Sequence, residues 1–313
     1  MSRFAPEALL WTLLRGAIGT RVTAIVSELG VADELADGPR PLDELAAEVG
    51  ADADTLHRYL RALASEGVFA EIEPGVFENT PTSALLGRKS SSGAFAQLFG
   101  GVWYGAVGDL DASGKKAFEP DFWAWLAEHP RERALFDLAM EEGKECRVER
   151  LAGFGWNGET VVDVGGGNGS FLLELFARQP GLRGIVYDLP ETVRDDARLA
   201  AAGIEFEEGS FFERVPEGDV YVLGTILHDW PDDRAAAILE TIRGHAPSGA
   251  RVLILDAVVQ TGNGPQGSKW LDLLMLATLG GRERTEPEWG ALIEGAGMRV
   301  DAIEDGLVQA SCP

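Results

Sequence analysis

A chain of 313 residues has room for two domains of ordinary size, and 45% hydrophobic with 25% charged residues is a folding composition, not a disordered one. Lysine plus arginine number 27 against 51 aspartate plus glutamate, a formal charge of −24, which argues against a nucleic-acid backbone as partner because phosphates are held by a basic field. Only Cys146 and Cys312 occur, so no disulfide framework or zinc site is expected, and the reading is a reduced, cytoplasmic protein.

In chain order, residues 6–29 predict a helix: Leu10, Leu14, Ile18, Val22 and Ile25 recur at steps of three or four, and Leu9, Leu13 and Val26 widen the stripe. Glu7, Thr12 and Arg15 interrupt the apolar run, so neither a signal-peptide core nor a transmembrane helix is expected. The broad stripe suits either core packing or a second copy of the chain. Residues 30–85 predict two short helices ended by Gly50 and Gly67, then two alternating strands around Pro74-Gly75. Helix, turn, helix, hairpin is the winged-helix arrangement, which often reads DNA with its second helix. Here residues 1–90 carry 14 acidic against 8 basic side chains, so a dimerisation or lid role fits the charge better. Residues 91–155 read as helical and rich in aromatics, suited to core or to a pocket for a flat ligand.

From residue 158 the rhythm changes to short apolar strands alternating with helices, the pattern of a parallel sheet covered on both faces. The chain closes with an expected antiparallel edge pair over "MRVDAIED" and "LVQASCP". The segment "VVDVGGGNGSF" runs from a strand through glycines into a helix, so backbone can approach a ligand at a helix N-terminus. The dinucleotide spacing G-x-G-x-x-G fails at Ser170 and again at Leu172. What fits is D-x-G-x-G-x-G on Asp163, Gly165, Gly167 and Gly169, and an acidic residue before the glycines suits a ligand bearing an ammonium group better than a pyrophosphate. Asp188, at the end of the second strand, suits a carboxylate accepting both hydroxyls of a ribose. Of the four histidines, only His228 follows an apolar strand at its carboxyl end, where ligands sit in open α/β sheets. Asp229 either caps the next helix ahead of Pro231 or takes part at the site. Asp256 ends the neighbouring strand and is one candidate to orient His228.

Taken together, "DVGGGNG", "YDLPETV", "GSFF", "ILHDWPDD" and "GGRERTEPEW", in that order, resemble the S-adenosylmethionine-dependent O-methyltransferases with an N-terminal winged-helix dimerisation domain, the plant phenolic and bacterial polyketide group. The resemblance covers nearly the whole chain. It implies a Rossmann-like methyltransferase sheet with helices on both faces, a mostly helical winged-helix domain over 1–90, a helical linker or lid over 91–155, and a cofactor-binding catalytic domain over 156–313. It implies a swapped homodimer, a substrate pocket between the two domains and a small aromatic or polyketide-like acceptor. Under it, His228 is the general base and Glu283 its carboxylate partner. Asp163, Gly165, Gly167, Asp188, Ser210 and Phe211 hold S-adenosylmethionine, while Asp229, Trp270, Asp272 and Met275 line the acceptor site. Residue chemistry also lets Glu283 pair with Arg282 or Arg284, and Met275 and Trp270 be plain core.

The chemistry is consistent with that set. A phenol with a reference pKa near 10 is ionised in roughly one molecule per thousand at neutral pH, so a positioned imidazole that takes its proton helps methyl transfer. No metal is expected. Two departures stand out: Ser210 replaces an acidic residue common in the group, and Gly224 replaces a larger polar or basic side chain. The 91–130 region is shorter than usual. Two other readings remain open from sequence alone: a cofactor-binding relative that catalyses hydroxylation, decarboxylation or a pericyclic reaction, and a winged-helix regulator that senses a small ligand.

Overall fold

The computed structural model describes residues 5–114, 117–118, 121–190, 192, 194–304 and 306–313. The chain divides into two compact units, residues 1–108 with 128–142, and residues 109–127 with 143–313. The segment expected as one linker, 91–155, is therefore shared: its helices Ser91–Gly100, Val102–Gly108 and Pro130–Ala139 join the first unit, and Phe122–Ala127 and Lys144–Arg150 the second. Residues 115, 116, 119 and 120 of that segment lie outside the described residues.

The first unit opens with a 24-residue helix, Pro6–Leu29, closed by Gly30 in the left-handed conformation. By length and composition alone this helix could cross a membrane, a property it shares with core helices of soluble proteins. Only its C-terminal half is covered, with Ala24, Val26 and Ser27 buried. The covering element is the helix Ser91–Gly100: a Cβ on Gly100 would lie 2.3 Å from the Cβ of Ala24, so the contact requires glycine there. Ser27 inside this contact donates to the Leu86 carbonyl at 2.9 Å and accepts from Gln97 at 3.1 Å. The expected winged-helix order is present. Helices Leu42–Val49 and Ala53–Ala64 precede β2 (Phe69–Glu73) and β3 (Val76–Asn79), and a short β1 (Arg40–Pro41) completes an antiparallel sheet of order β1-β3-β2. Leu45, Leu56, Leu60, Phe69 and Phe77 close its core.

The second unit holds a seven-stranded sheet made of β4 (Thr160–Val164), β5 (Arg183–Asp188), β6 (Ile204–Glu208), β7 (Val220–Gly224), β8 (Arg251–Leu255), β11 (Arg299–Glu304) and β12 (Leu307–Ser311). Two short strands, β9 (Val258–Val259) and β10 (Arg284–Thr285), pair in parallel beside it. The sheet order is β11-β12-β8-β7-β4-β5-β6, parallel from β6 to β8 and antiparallel at β12 and β11. Successive residues of a strand face opposite sides, and here both sides are dry. Val162, Tyr221, Leu223, Val252 and Ile254 pack under helices Asp232–His245 and Glu286–Gly295. Val161, Val220, Val222, Leu253 and Leu255 pack under helices Ser170–Arg178 and Lys144–Arg150. This two-sided burial explains the continuous apolar strands in the sequence.

Three local departures shape the carboxyl edge of this sheet. The apolar run 219–227 does not stay in the sheet: β7 stops at Gly224, and Thr225 takes φ 57, the sole non-glycine with positive φ among the described residues. The run 250–259 breaks at Asp256, which lies between β8 and β9. The helix expected over 191–202 is ordered as Asp196–Ala201, with residues 191 and 193 outside the described residues.

Candidate active site

Strands β5 and β6 extend the sheet to one side of β4, while β7, β8, β12 and β11 extend it to the other. The connections after β4 and β7 therefore leave in opposite directions and open a crevice at the carboxyl ends of this pair, where ligands bind in such sheets.

One side of the crevice is the glycine loop. Gly165, Gly167 and Gly169 have φ of 71, 57 and 77°, a region that side-chain-bearing residues rarely occupy. A Cβ on Gly166 would lie 2.6 Å from Oδ2 of Asp163, and one on Gly169 would lie 2.6 Å from Cδ2 of Leu199. A Cβ on Gly167 would meet nothing within 4 Å, so this glycine faces open space. Its N–H donates to Oδ2 of Asp188 at 2.7 Å, and Oδ1 of Asp188 accepts from the Leu189 N–H at 2.7 Å and the Thr192 hydroxyl at 2.9 Å. Asp188 thus ties the loop to the end of β5 and remains partly accessible.

Asp163 is buried under the loop, and its Oδ2 has no hydrogen-bond partner among the described residues. Burial pushes its carboxyl up to about 7, the negative charge of Asp188 adds to this, and Arg147 opposes it. An orphaned buried carboxylate is an unmet demand for a donor, and a cationic ligand group meets it. Arg147 runs past Gly224: a Cβ there would sit 3.8 Å from Cδ of Arg147 and 3.9 Å from its Nε. A basic side chain is therefore present at the end of β7, supplied from helix Lys144–Arg150 instead of from position 224. Beyond β6, the Ser210 hydroxyl accepts the Phe212 N–H at 3.3 Å, and Phe211 packs edge-on to Phe212 and Trp230 at 4.9 and 6.1 Å between ring centroids.

The other side of the crevice carries His228, in a single 3-10 turn over Leu227–Asp229. Three acidic side chains surround it. Its Nδ1 lies 2.7 Å from Oε1 of Glu283, its Nε2 lies 3.3 Å from Oδ1 of Asp229, and its backbone N–H donates to Oδ2 of Asp256 at 3.1 Å. All four residues are buried. Burial, the largest single influence, pulls the imidazole down, but Asp229, Glu283 and Asp256 together outweigh it and carry His228 up to about 10. The same desolvation drives Asp229 up to about 7 against the pull of His228, and raises Asp256. Asp256 Oδ1 and Glu283 Oε2 have no hydrogen-bond partner among the described residues. Asp229 does not cap the following helix, whose N-cap position is Pro231.

Helix Ser268–Thr278 braces this cluster, because Asp272 accepts the Glu283 N–H at 2.8 Å. Met275 is buried on the same helix. Trp270 is not: it is 66% exposed and continues an exposed stripe with Leu273 and Leu276.

An O-methyltransferase domain is recognised over residues 106–299 and an O-methyltransferase dimerisation domain over residues 11–89. The chain belongs to the S-adenosylmethionine-dependent O-methyltransferases. It is 37% identical to the phenazine O-methyltransferase PhzM of Lysobacter antibioticus over 95% of this chain and 92% of that one. The crystal structure of LaPhzM superposes with a TM-score of 0.91 at 34% identity, covering 99% of this chain and all of that one. CalO1, a methyltransferase in calicheamicin biosynthesis solved with S-adenosylhomocysteine, superposes at 0.81 with 33% identity, each chain fully covered. This O-methyltransferase therefore uses S-adenosylmethionine and acts on small metabolites.

Sequence reading missed several residues of the site. Arg147 lies in a helix with no motif, and only the oddity of glycine at 224 hinted that another side chain occupies that space. Thr225 gives no local signal of its positive φ. Arg284, read only as a possible partner of Glu283, instead bonds Asp232 and the carbonyls of Leu227 and Trp230, and Gly281 presses on the His228 turn, although the paired glycines 280–281 are a usual sign of close backbone approach.

Proposed function

We propose that this methyltransferase methylates a hydroxyl of a small aromatic or polyketide-like acceptor, with His228 as general base. The observation that carries the reading is the 2.7 Å contact between His228 Nδ1 and Glu283, which leaves Nε2 as the only ring nitrogen able to receive a proton. S-adenosylmethionine, when bound, supplies a methyl carbon made electrophilic by a sulfonium sulfur and departs as the neutral thioether. Asp163, Gly165, Gly167, Asp188, Ser210, Phe211 and Arg147 are the residues that fit it: the carboxylates suit an ammonium and a ribose, Arg147 a carboxylate, and Phe211 the face of a purine.

His228 then accepts the acceptor's hydroxyl proton at Nε2 as the oxygen lone pair closes on carbon. Glu283 holds Nδ1–H, fixing the tautomer and stabilising the imidazolium that forms, and Asp256 anchors the backbone beneath it. Asp229, facing Nε2, sits beside the acceptor oxygen, and Asp272 and Met275 lie along the acceptor side. To act as a base His228 must be neutral, and positive charge brought into the crevice favours that form by opposing the surrounding carboxylates. The phenazine relative's name supports an aromatic acceptor. The dimerisation domain supports a homodimer, with residues 1–90 as its body.

The test is incubation of the protein with isotopically labelled S-adenosylmethionine and a panel of phenolic metabolites, read by mass spectrometry. Wild type is expected to label a phenolic oxygen, and His228→Ala to lose about 10²–10⁴ in rate. An unlabelled product, or full activity in His228→Ala, overturns the reading.

A further inference from the structure

Besides the three acidic side chains around His228, a basic one holds its turn. Arg284, which follows Glu283 and opens β10, is fully buried at 0% exposure. Its Nε donates to Oδ1 of Asp232 at 3.0 Å, its Nη1 to the Leu227 carbonyl at 2.9 Å and its Nη2 to the Trp230 carbonyl at 2.9 Å. The guanidinium also lies 5.1 Å from the centroid of the Trp289 ring. The two carbonyls it bridges stand immediately before and after His228-Asp229. The flanking chain grips the same turn: the Arg282 N–H donates to the His228 carbonyl at 2.9 Å, and a Cβ on Gly281 would lie 2.0 Å from that oxygen. β10 is in turn paired with β9, just past Asp256.

We propose that Arg284 is a positioning residue for methyl transfer, which clamps the turn carrying His228 to the segment carrying Glu283. The clamp sets the aim of Nε2 through the backbone, while Glu283 sets it through the ring. Arginine suits the task because its planar fork presents donors at fixed spacing to two carbonyls and a carboxylate, whereas a lysine ammonium has its three donors diverging from one nitrogen. Arg284 itself reaches no reacting atom. The proposal rests on His228 being the base.

The test compares Arg284→Met, Arg284→Lys and Asp232→Asn with wild type. Asp232 is half exposed and its replacement loosens the clamp without opening the core. For each, calorimetry with S-adenosylmethionine counts donor-binding sites, and acceptor kinetics are expressed per site, so misfolded protein is not scored. The expected result is a fall in kcat on the order of 10²-fold in Arg284→Met, the size a misplacement of about 1 Å produces. Partial recovery is expected in Arg284→Lys and a smaller fall in Asp232→Asn, with donor Kd and acceptor KM unchanged. Wild-type kcat per site in these variants, or a loss that follows donor affinity in step, overturns the proposal. If Arg284→Met yields no donor-binding protein, Arg284→Lys and Asp232→Asn decide it by the same criterion. Failure of the base reading looks different: His228→Ala then keeps its kcat, and the positioning role falls with it. A crippled His228→Ala beside fully active Arg284 variants sinks the clamp alone.

Discussion

His228 has a carboxylate at each ring nitrogen, and both favour its charged form. Glu283 at Nδ1 orients the ring. Asp229 faces Nε2, the nitrogen to which the proposed mechanism brings the proton, and stabilises the charged imidazole. Under the proposed base role a charged His228 must first lose its proton, so the free enzyme's kcat/KM for the acceptor is expected to climb into the alkaline range. Asp229→Asn removes the strongest of the influences that raise His228. Its ascending limb is expected to move to lower pH by about 1–3 pH units, the usual effect of one opposite charge in contact. A pH–rate profile that stays in place in Asp229→Asn shows that this carboxylate does not control the base.

At the scale of elements, the glycine loop works because each glycine solves a different steric problem. Gly166 makes room for the Asp163 carboxylate, Gly169 lets the following helix close on Leu199 and Val186, and Gly167 leaves its outer side open. Gly169→Ala combines a left-handed backbone with a Cβ that would lie 2.6 Å from Leu199, so it is expected to destabilise the second unit by about 2–4 kcal/mol. Urea unfolding checks this, and a loss below about 0.5 kcal/mol would show that the helix can shift to absorb the side chain. The elements themselves were legible wherever burial alone dictates pattern. The strands β4, β5, β7 and β8 are apolar on both faces, and the winged-helix region alternates at its own helical and strand periods. Legibility failed where the chain leaves an element for a reason not in its pattern, as at Thr225, which turns out of β7, and at Asp256, which interrupts the run of β8.

At the scale of the whole molecule, Leu10, Trp11, Leu14 and Ile18 on the first helix are 58–66% exposed, within or beside a dimerisation domain that begins at residue 11. A stripe this apolar on a free surface is unusual and marks a partner. Leu14→Arg is expected to convert a homodimer to monomer in sedimentation equilibrium, and an unchanged mass would place the contact elsewhere on the domain.

Resemblance of its motif picked out Glu283; the sequence by itself determined the order of helices and strands, the glycine loop, and the residues His228 and Asp188 as candidates. These follow from local rules: period, backbone freedom at glycine, and residue type at a strand end. Only the tertiary structure decided which side chains meet. Parallel pairing of β9 with β10 brings Glu283 and Arg284, more than 50 positions along the chain, onto the His228 turn. It also set Arg147 against Gly224 and left Trp270 on the outside, since neither separation in sequence nor residue type encodes a contact that arises when distant strands pack around one sheet.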